Sequence, residues 1–236
     1  MRGFLLKKTT VDTLYFLRQR LRFIRRFYGN ASFPFTEQKR KIEVGEDPFI
    51  PSYNYEYEEP PFLDEWIEAE ESLDVLGQAC ISMLANSLHL YLEECVKELG
   101  VGCPDKAAKK GWINGYRVFF EEKLRICWKA GPTTPEFLDE IALTRNRAQH
   151  PEHIDMLGIA QSKHDFAKHR RPFFADEAEM QAMENSELPE EEWLFGPWCL
   201  KITKDKLLAA IDQVEHFSIW FEDQYRSRQA DSTSIE

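Results

Sequence analysis

The sequence predicts an all-α protein built as a helical bundle. Three observations lead there. Apolar residues recur every three or four positions over four long stretches. Strand-like runs are confined to two short ones, too few for a parallel sheet. The 236 residues are 43% apolar and 13% aromatic, which is enough for a buried core.

The elements follow in order. Leu14 to Tyr28 reads as a basic amphipathic helix, with Leu14, Leu17, Leu21, Ile24 and Tyr28 in register and Arg18, Arg22, Arg25 and Arg26 beside them. It reads as packed on the body with solvated arginines; an arm reaching nucleic acid or lipid is the alternative. Ala31 to Pro61 lacks helical period and carries five prolines and the run Ser52-Tyr53-Asn54-Tyr55-Glu56-Tyr57, so it is expected to lie extended on the body.

Leu63 to Leu99 holds the strongest stripe, from Leu73 through Cys80, Leu84, Leu88 and Leu92 to Leu99. Acidic first turns suit its N-terminus, and Gly100, Gly102 and Pro104 stop it. It is one bent helix or two joined near Ser72. Trp112 to Trp128 forms the next helix, ended by Gly131-Pro132. The one after runs from about Pro135 to His150. Either Thr134 caps it with Pro135 at the first helical position, or Thr133 does so in a capping box with Glu136. Glu152 to Lys168 is a candidate short helix. Arg171 to Ala175 and Trp198 to Ile202 are the two short strands, paired as a ribbon around an acidic insert. Thr203 caps a last helix, about Lys204 to Arg226, before a polar tail. The organisation is residues 1–61 as a basic helix plus Tyr/Pro-rich segment, 62–228 as the helical domain with an insert at about 172–200, and 229–236 as the tail.

The formal net charge of −11 hides strong blocks. Residues 1–41 are net +9, 42–103 net −14, 104–171 net +4 and 172–236 net −10. Such asymmetry points to interaction surfaces. The five cysteines include no CxxC pair and read as reduced, buried thiols. No long uncharged apolar run suggests a membrane span, and no secretory signal is apparent; a cytoplasmic location is expected. Glycine-rich phosphate loops, GxSxG and HExxH are absent, which removes the sequence basis for a kinase, oxidoreductase or protease. His150 and His153 lack a third ligand, so no metal site and no cofactor is expected.

One cluster carries chemistry: Thr144-Arg145-Asn146-Arg147-Ala148-Gln149-His150, at the C-terminal end of a helix. Guanidinium forks suit phosphate oxygens. Imidazole moves protons near neutral pH, and a helix C-terminus favours its positive form. Cleaving RNA without a metal needs that set: a base for the 2′-hydroxyl, an acid for the leaving 5′-oxygen, and cations for the phosphoryl charge.

Arg145-Asn146-x-x-x-His150 resembles the R-x(4–6)-H motif of the HEPN superfamily (higher eukaryote and prokaryote nucleotide-binding), whose arginine is usually followed by a polar residue. The helix order over residues 64–226 is similar too. The resemblance implies an antiparallel four-helix bundle, here with an extra N-terminal helix and a small β-ribbon insert. It implies a metal-independent endoribonuclease, a toxin or phage-defence effector, working as a homodimer whose motifs meet at the interface, with an antitoxin or defence-system protein as partner. Arg145, Asn146 and His150 are then the catalytic candidates. The likeness stops at Glu152, where members paired with a nucleotidyltransferase antitoxin carry a modified tyrosine.

On one straight helix His150 lies about 140° from Arg145 but about 60° from Arg147. A composite site across a two-fold relaxes that conflict. Arg147 is expected to support phosphate binding, together with Lys163, Lys168, Arg170 and Arg171 just beyond the motif. RNA engagement should be local and salt-sensitive. The competing expectation is a non-catalytic dimeric module that binds a protein partner or a nucleotide.

Overall fold

The computed structural model describes residues 12–51, 60–100, 111–150, 157–185 and 198–233. The chain is all-α apart from one two-stranded sheet. In order come α1 (Thr13–Val44), α2 (Leu63–Glu98), α3 (Trp112–Leu124), a 3-10 turn (Trp128–Ala130), α4 (Pro135–Gln149), β1 (Ile159–Ala160), α5 (Lys163–Lys168), α6 (Glu177–Glu184), β2 (Cys199–Leu200) and α7 (Lys204–Thr233).

α2 is the central element, unbroken at Ser72 over its 36 residues. It is long and apolar enough to cross a membrane by length and composition, but half of its most apolar window is buried within the bundle. Cys80, Ile81, Leu84, Leu88, Leu92 and Cys95 are fully enclosed. Each such aliphatic side chain contributes about 1.5–3 kcal/mol by leaving water. α7 runs parallel to α2: Gly77 approaches Ile202 at one end, and the Tyr225 hydroxyl donates to the Cys95 carbonyl at the other, 2.8 Å. Between α3 and α7 an aromatic cluster packs edge-to-face, with Phe120–Phe221 and Trp128–Phe217 each 4.8 Å apart.

α1 is part of this core rather than an arm. Leu17, Leu21, Ile24 and Tyr28 are buried in it, and Arg18 and Arg25 pair with Glu215 and Asp212 of α7. The expected extended segment from Ala31 is instead helical to Val44, with Pro34 inside. Proline removes one ladder hydrogen bond; here Pro34 and the Asn30 partner position both face solvent, so water can satisfy the freed carbonyl. This second half of α1 lacks an apolar stripe because polar links to α2 hold it. Lys39 bonds Glu70, Gln38 donates to the Glu65 carbonyl, and the Trp66 indole donates to Glu43. Those pairings run α1 antiparallel to α2. Gly45, at φ 67°, ends the helix in the left-handed conformation that glycine adopts without cost. The tyrosine-rich run 52–59 lies outside the described residues.

Other differences are local. α3 stops at Leu124, where Arg125 turns left-handed (φ 56°), so Cys127 is exposed and only Trp128 turns inward. Cys199 is exposed as well, whereas Cys80 and Cys95 are the buried thiols among the four described. Thr134 is the α4 cap, accepting from the Phe137 amide, while the Thr133 hydroxyl donates to the Gln213 carbonyl on α7. The expected helix over Glu152 to Lys168 reduces to α5; residues 151–156 lie outside the description. β2 pairs antiparallel with β1, not with Arg171–Ala175, which contributes a single bridge from Ala175 to Leu200. The register follows the need to bury Ile159 and Leu200 together. α7 is capped by Thr203 as expected and continues through the expected tail to Thr233.

Candidate functional site

The motif sits where α4 leaves the bundle. Thr144 and Ile141 anchor the inner face of the helix, which places Arg145, Asn146 and Arg147 at the boundary and His150 in solvent. His150 is the C-cap residue; its backbone N–H donates to the Asn146 carbonyl, 3.0 Å. Its imidazole makes no hydrogen bond among the described residues, so it is open to an incoming group.

Arg145 is held by two neutral acceptors. Nη1 donates to Oδ1 of Asn146 at 3.0 Å, and Nη2 donates to Oδ1 of Asn86, on α2, at 3.2 Å. Its Nε is buried and has no hydrogen-bond partner. No carboxylate pairs with this guanidinium among the described residues. Amide oxygens orient a cation without neutralising it, so Arg145 retains a full charge that favours an anion. Asn146, adopted above as a polar neighbour, therefore has a physical task.

Arg147 has different company. Its Nε donates to Oδ2 of the buried Asp165 at 2.8 Å. Asp165 closes a capping box with Ser162 at the start of α5. The ion pair thus staples α5 to α4. Expected as a phosphate contact, Arg147 carries a structural bond in this chain. One turn earlier on α4, Asp139 and Glu140 flank His169, each 3.4 Å from a ring nitrogen. The Asp139 hydrogen bond, then that from Glu140, raises the imidazole to about 9 against the cost of burial. His169 is therefore a cation at neutral pH whose charge two carboxylates answer. Arg147, Asp165, His169 and Gln161 enclose a cavity of about 10 Å³, room for at most one water.

Of the remaining expected RNA contacts, Lys168, Arg170 and Arg171 are exposed. The Arg170 guanidinium lies over the Phe166 ring at 5.9 Å, and Lys163 opens α5. These residues lie on the α5 side of α4, whereas Asn86 draws Arg145 towards the α2 side. The structure thus separates two groups that the sequence merges into one strip. Among the described residues no group of three or more His, Cys, Asp or Glu side chains is placed to hold a metal ion; His153 lies outside them.

No family model, curated protein or solved structure matches this chain. The family likeness accordingly rests on the Arg145–His150 motif and the helix order alone. Asn86 is the site residue that sequence reasoning missed. It lies 59 positions before Arg145, and nothing in its local pattern marks it out from other boundary polar residues on α2.

Proposed function

We propose that the chain is a metal-independent endoribonuclease of the HEPN type, acting as a homodimer in a toxin or phage-defence role. One observation carries the reading: a guanidinium oriented by two amides and lacking a carboxylate partner, on the same helix end as a solvent-open imidazole.

The chemistry follows from those groups. Neutral His150 takes the proton of a ribose 2′-hydroxyl. The 2′-oxygen attacks the adjacent phosphorus and the bond from phosphorus to the 5′-oxygen breaks, leaving a 2′,3′-cyclic phosphate. Arg145 meets the extra negative charge on the phosphoryl oxygens. The leaving 5′-oxygen takes its proton from the His150 imidazolium of a second protomer. That division of labour answers the separation of about 140° between Arg145 and His150 on one helix. Asn86 and Asn146 position Arg145 and touch no reacting atom.

Incubating the full chain with assorted RNAs in EDTA, beside His150→Ala, tests this. Cleavage to cyclic-phosphate ends that falls roughly 10²–10⁴-fold in the variant is expected. RNA left equally intact by both proteins overturns the nuclease. RNA that is bound but uncut by the wild type identifies the non-catalytic binding module instead.

A further inference from the structure

The outer face of α1 is unlike any other surface among the described residues. Phe16, Phe23 and Phe27 share one side of the helix and stand 55%, 59% and 39% exposed, with Arg20 between them. Phe23 and Phe27 lie nearly parallel, 13° apart with centroids 5.9 Å from each other. A second row brings Tyr15, Arg22, Arg26 and Phe33 to the same outer surface. Burying none of these aromatics is costly unless something covers them.

Charge says what the cover is. From Thr13 to Thr36 the helix has five arginines and no acid. Arg18 and Arg25 are answered by α7. Arg22 and Arg26 have no carboxylate partner among the described residues, and Arg20 donates only to the Ser87 hydroxyl, 3.0 Å. A second copy laid across this face by a two-fold would set arginines against arginines. A lipid surface would want the leucine stripe, which is already buried in the core. Aromatic faces interleaved with uncompensated guanidinium groups fit single-stranded nucleic acid, whose bases stack while its phosphates pair.

The face also leads to the site. Arg20 is bonded to Ser87 and Arg145 to Asn86, consecutive residues of α2. Between α1 and α2 lies a groove of about 240 Å³ lined by Phe16, Arg20 and Leu90. Its one acid, Glu94, is paired with Lys97 at 2.7 Å.

We infer that the outer face of α1 binds single-stranded RNA, with Phe16, Phe23 and Phe27 as stacking platforms and Arg20, Arg22 and Arg26 on phosphates. The bound strand crosses α2 to Arg145. This rests on reading Arg145 and His150 as an RNA site, and names the surface that brings RNA there.

The test measures binding of a fluorescein-labelled oligouridylate by anisotropy, using the full chain with His150→Ala so that no substrate is lost. Adding Phe23→Ala and Phe27→Ala together should weaken binding roughly tenfold or more. Arg22→Gln with Arg26→Gln should flatten the salt dependence by about 0.7 in slope per arginine. All four side chains face water, so circular dichroism and melting should be unchanged. RNA bound equally well without the two phenylalanines overturns the inference. So does sedimentation showing a dimer that the phenylalanine variant dissociates while RNA binding persists. Binding to phosphatidylserine vesicles but not to RNA overturns it as well. Cleavage measured separately on the His150 wild type keeps the two readings apart: a nuclease indifferent to the phenylalanines loses only the α1 surface, and an inert protein that binds RNA through them loses only the nuclease.

Discussion

The two sides of α4 treat a guanidinium in opposite ways. Towards α2, Arg145 meets amide oxygens of Asn86 and Asn146 and keeps its charge. Towards α5, Arg147 meets the buried carboxylate of Asp165, and His169 meets Asp139 and Glu140. Two residues apart on one helix, one arginine is poised for an anion from outside while the other closes the structure. Charge type alone does not mark a site; the partners do.

The sharpest way to break that comparison is to neutralise each arginine in turn. Arg145→Gln should lower RNA cleavage about 10²–10³-fold, the loss typical of removing one donor to a developing oxyanion, with little change in melting. Arg147→Gln should leave cleavage by the folded protein near wild type and lower the melting temperature. Equal activity losses from both, measured with matched folded fractions, would erase the distinction.

Removing the other half of the closed pair probes it from the carboxylate side. Asp165→Asn leaves Arg147 partly buried without its counter-charge and weakens the α5 cap. Fully buried pairs lose about 3–5 kcal/mol when one partner is removed. Arg147 retains 24% side-chain exposure, so about 2 kcal/mol is expected in urea unfolding. A change within measurement error would mean the staple holds nothing.

How much of this was readable differs between the two sides for a physical reason. The core helices were legible because burial repeats at helical spacing, as from Cys80 to Leu92. The second half of α1 was not, since Lys39, Gln38 and Glu43 hold it through polar links that leave no apolar period. Arg145 and His150 share one helix and were visible together. Asn86 reaches them only through the fold. The Asp165 side carried a signal that the reading passed over: Ser162-Lys163-His164-Asp165 has the spacing of a capping box. The strand partner of Cys199–Leu200 was misplaced because both candidate segments are short and apolar, and a single bridge at Ala175 sits beside the true pair.

A smaller effect separates orientation from charge on the open side. Asn86→Ala leaves the Arg145 charge in place and removes one of its two guides. Cleavage should fall about tenfold, the scale of one hydrogen bond to a charged group, with the loss in kcat rather than KM if the guanidinium acts on the transition state. The pH profile should keep the shape His150 gives it. A loss equal to that of Arg145→Gln would mean that Asn86 touches RNA itself.

The smallest effect belongs to the closed side and reads its carboxylates through His169. Hydrogen bonds to Asp139 and then Glu140 raise this imidazole from 6.5 to about 9 in the folded chain. The folded state therefore binds the proton more tightly than the unfolded state. Its stabilising contribution is complete below the unfolded value of 6.5 and is lost as pH rises through about 9. Above that point a neutral ring leaves two carboxylates facing each other across it. Other groups also titrate in this range, so the informative quantity is the melting difference between wild type and His169→Gln at each pH. That difference should favour the wild type by a few degrees at neutral pH and shrink steadily as pH approaches and passes about 9. A difference that stays flat with pH would show that His169 fills space on the closed side without holding its charge there.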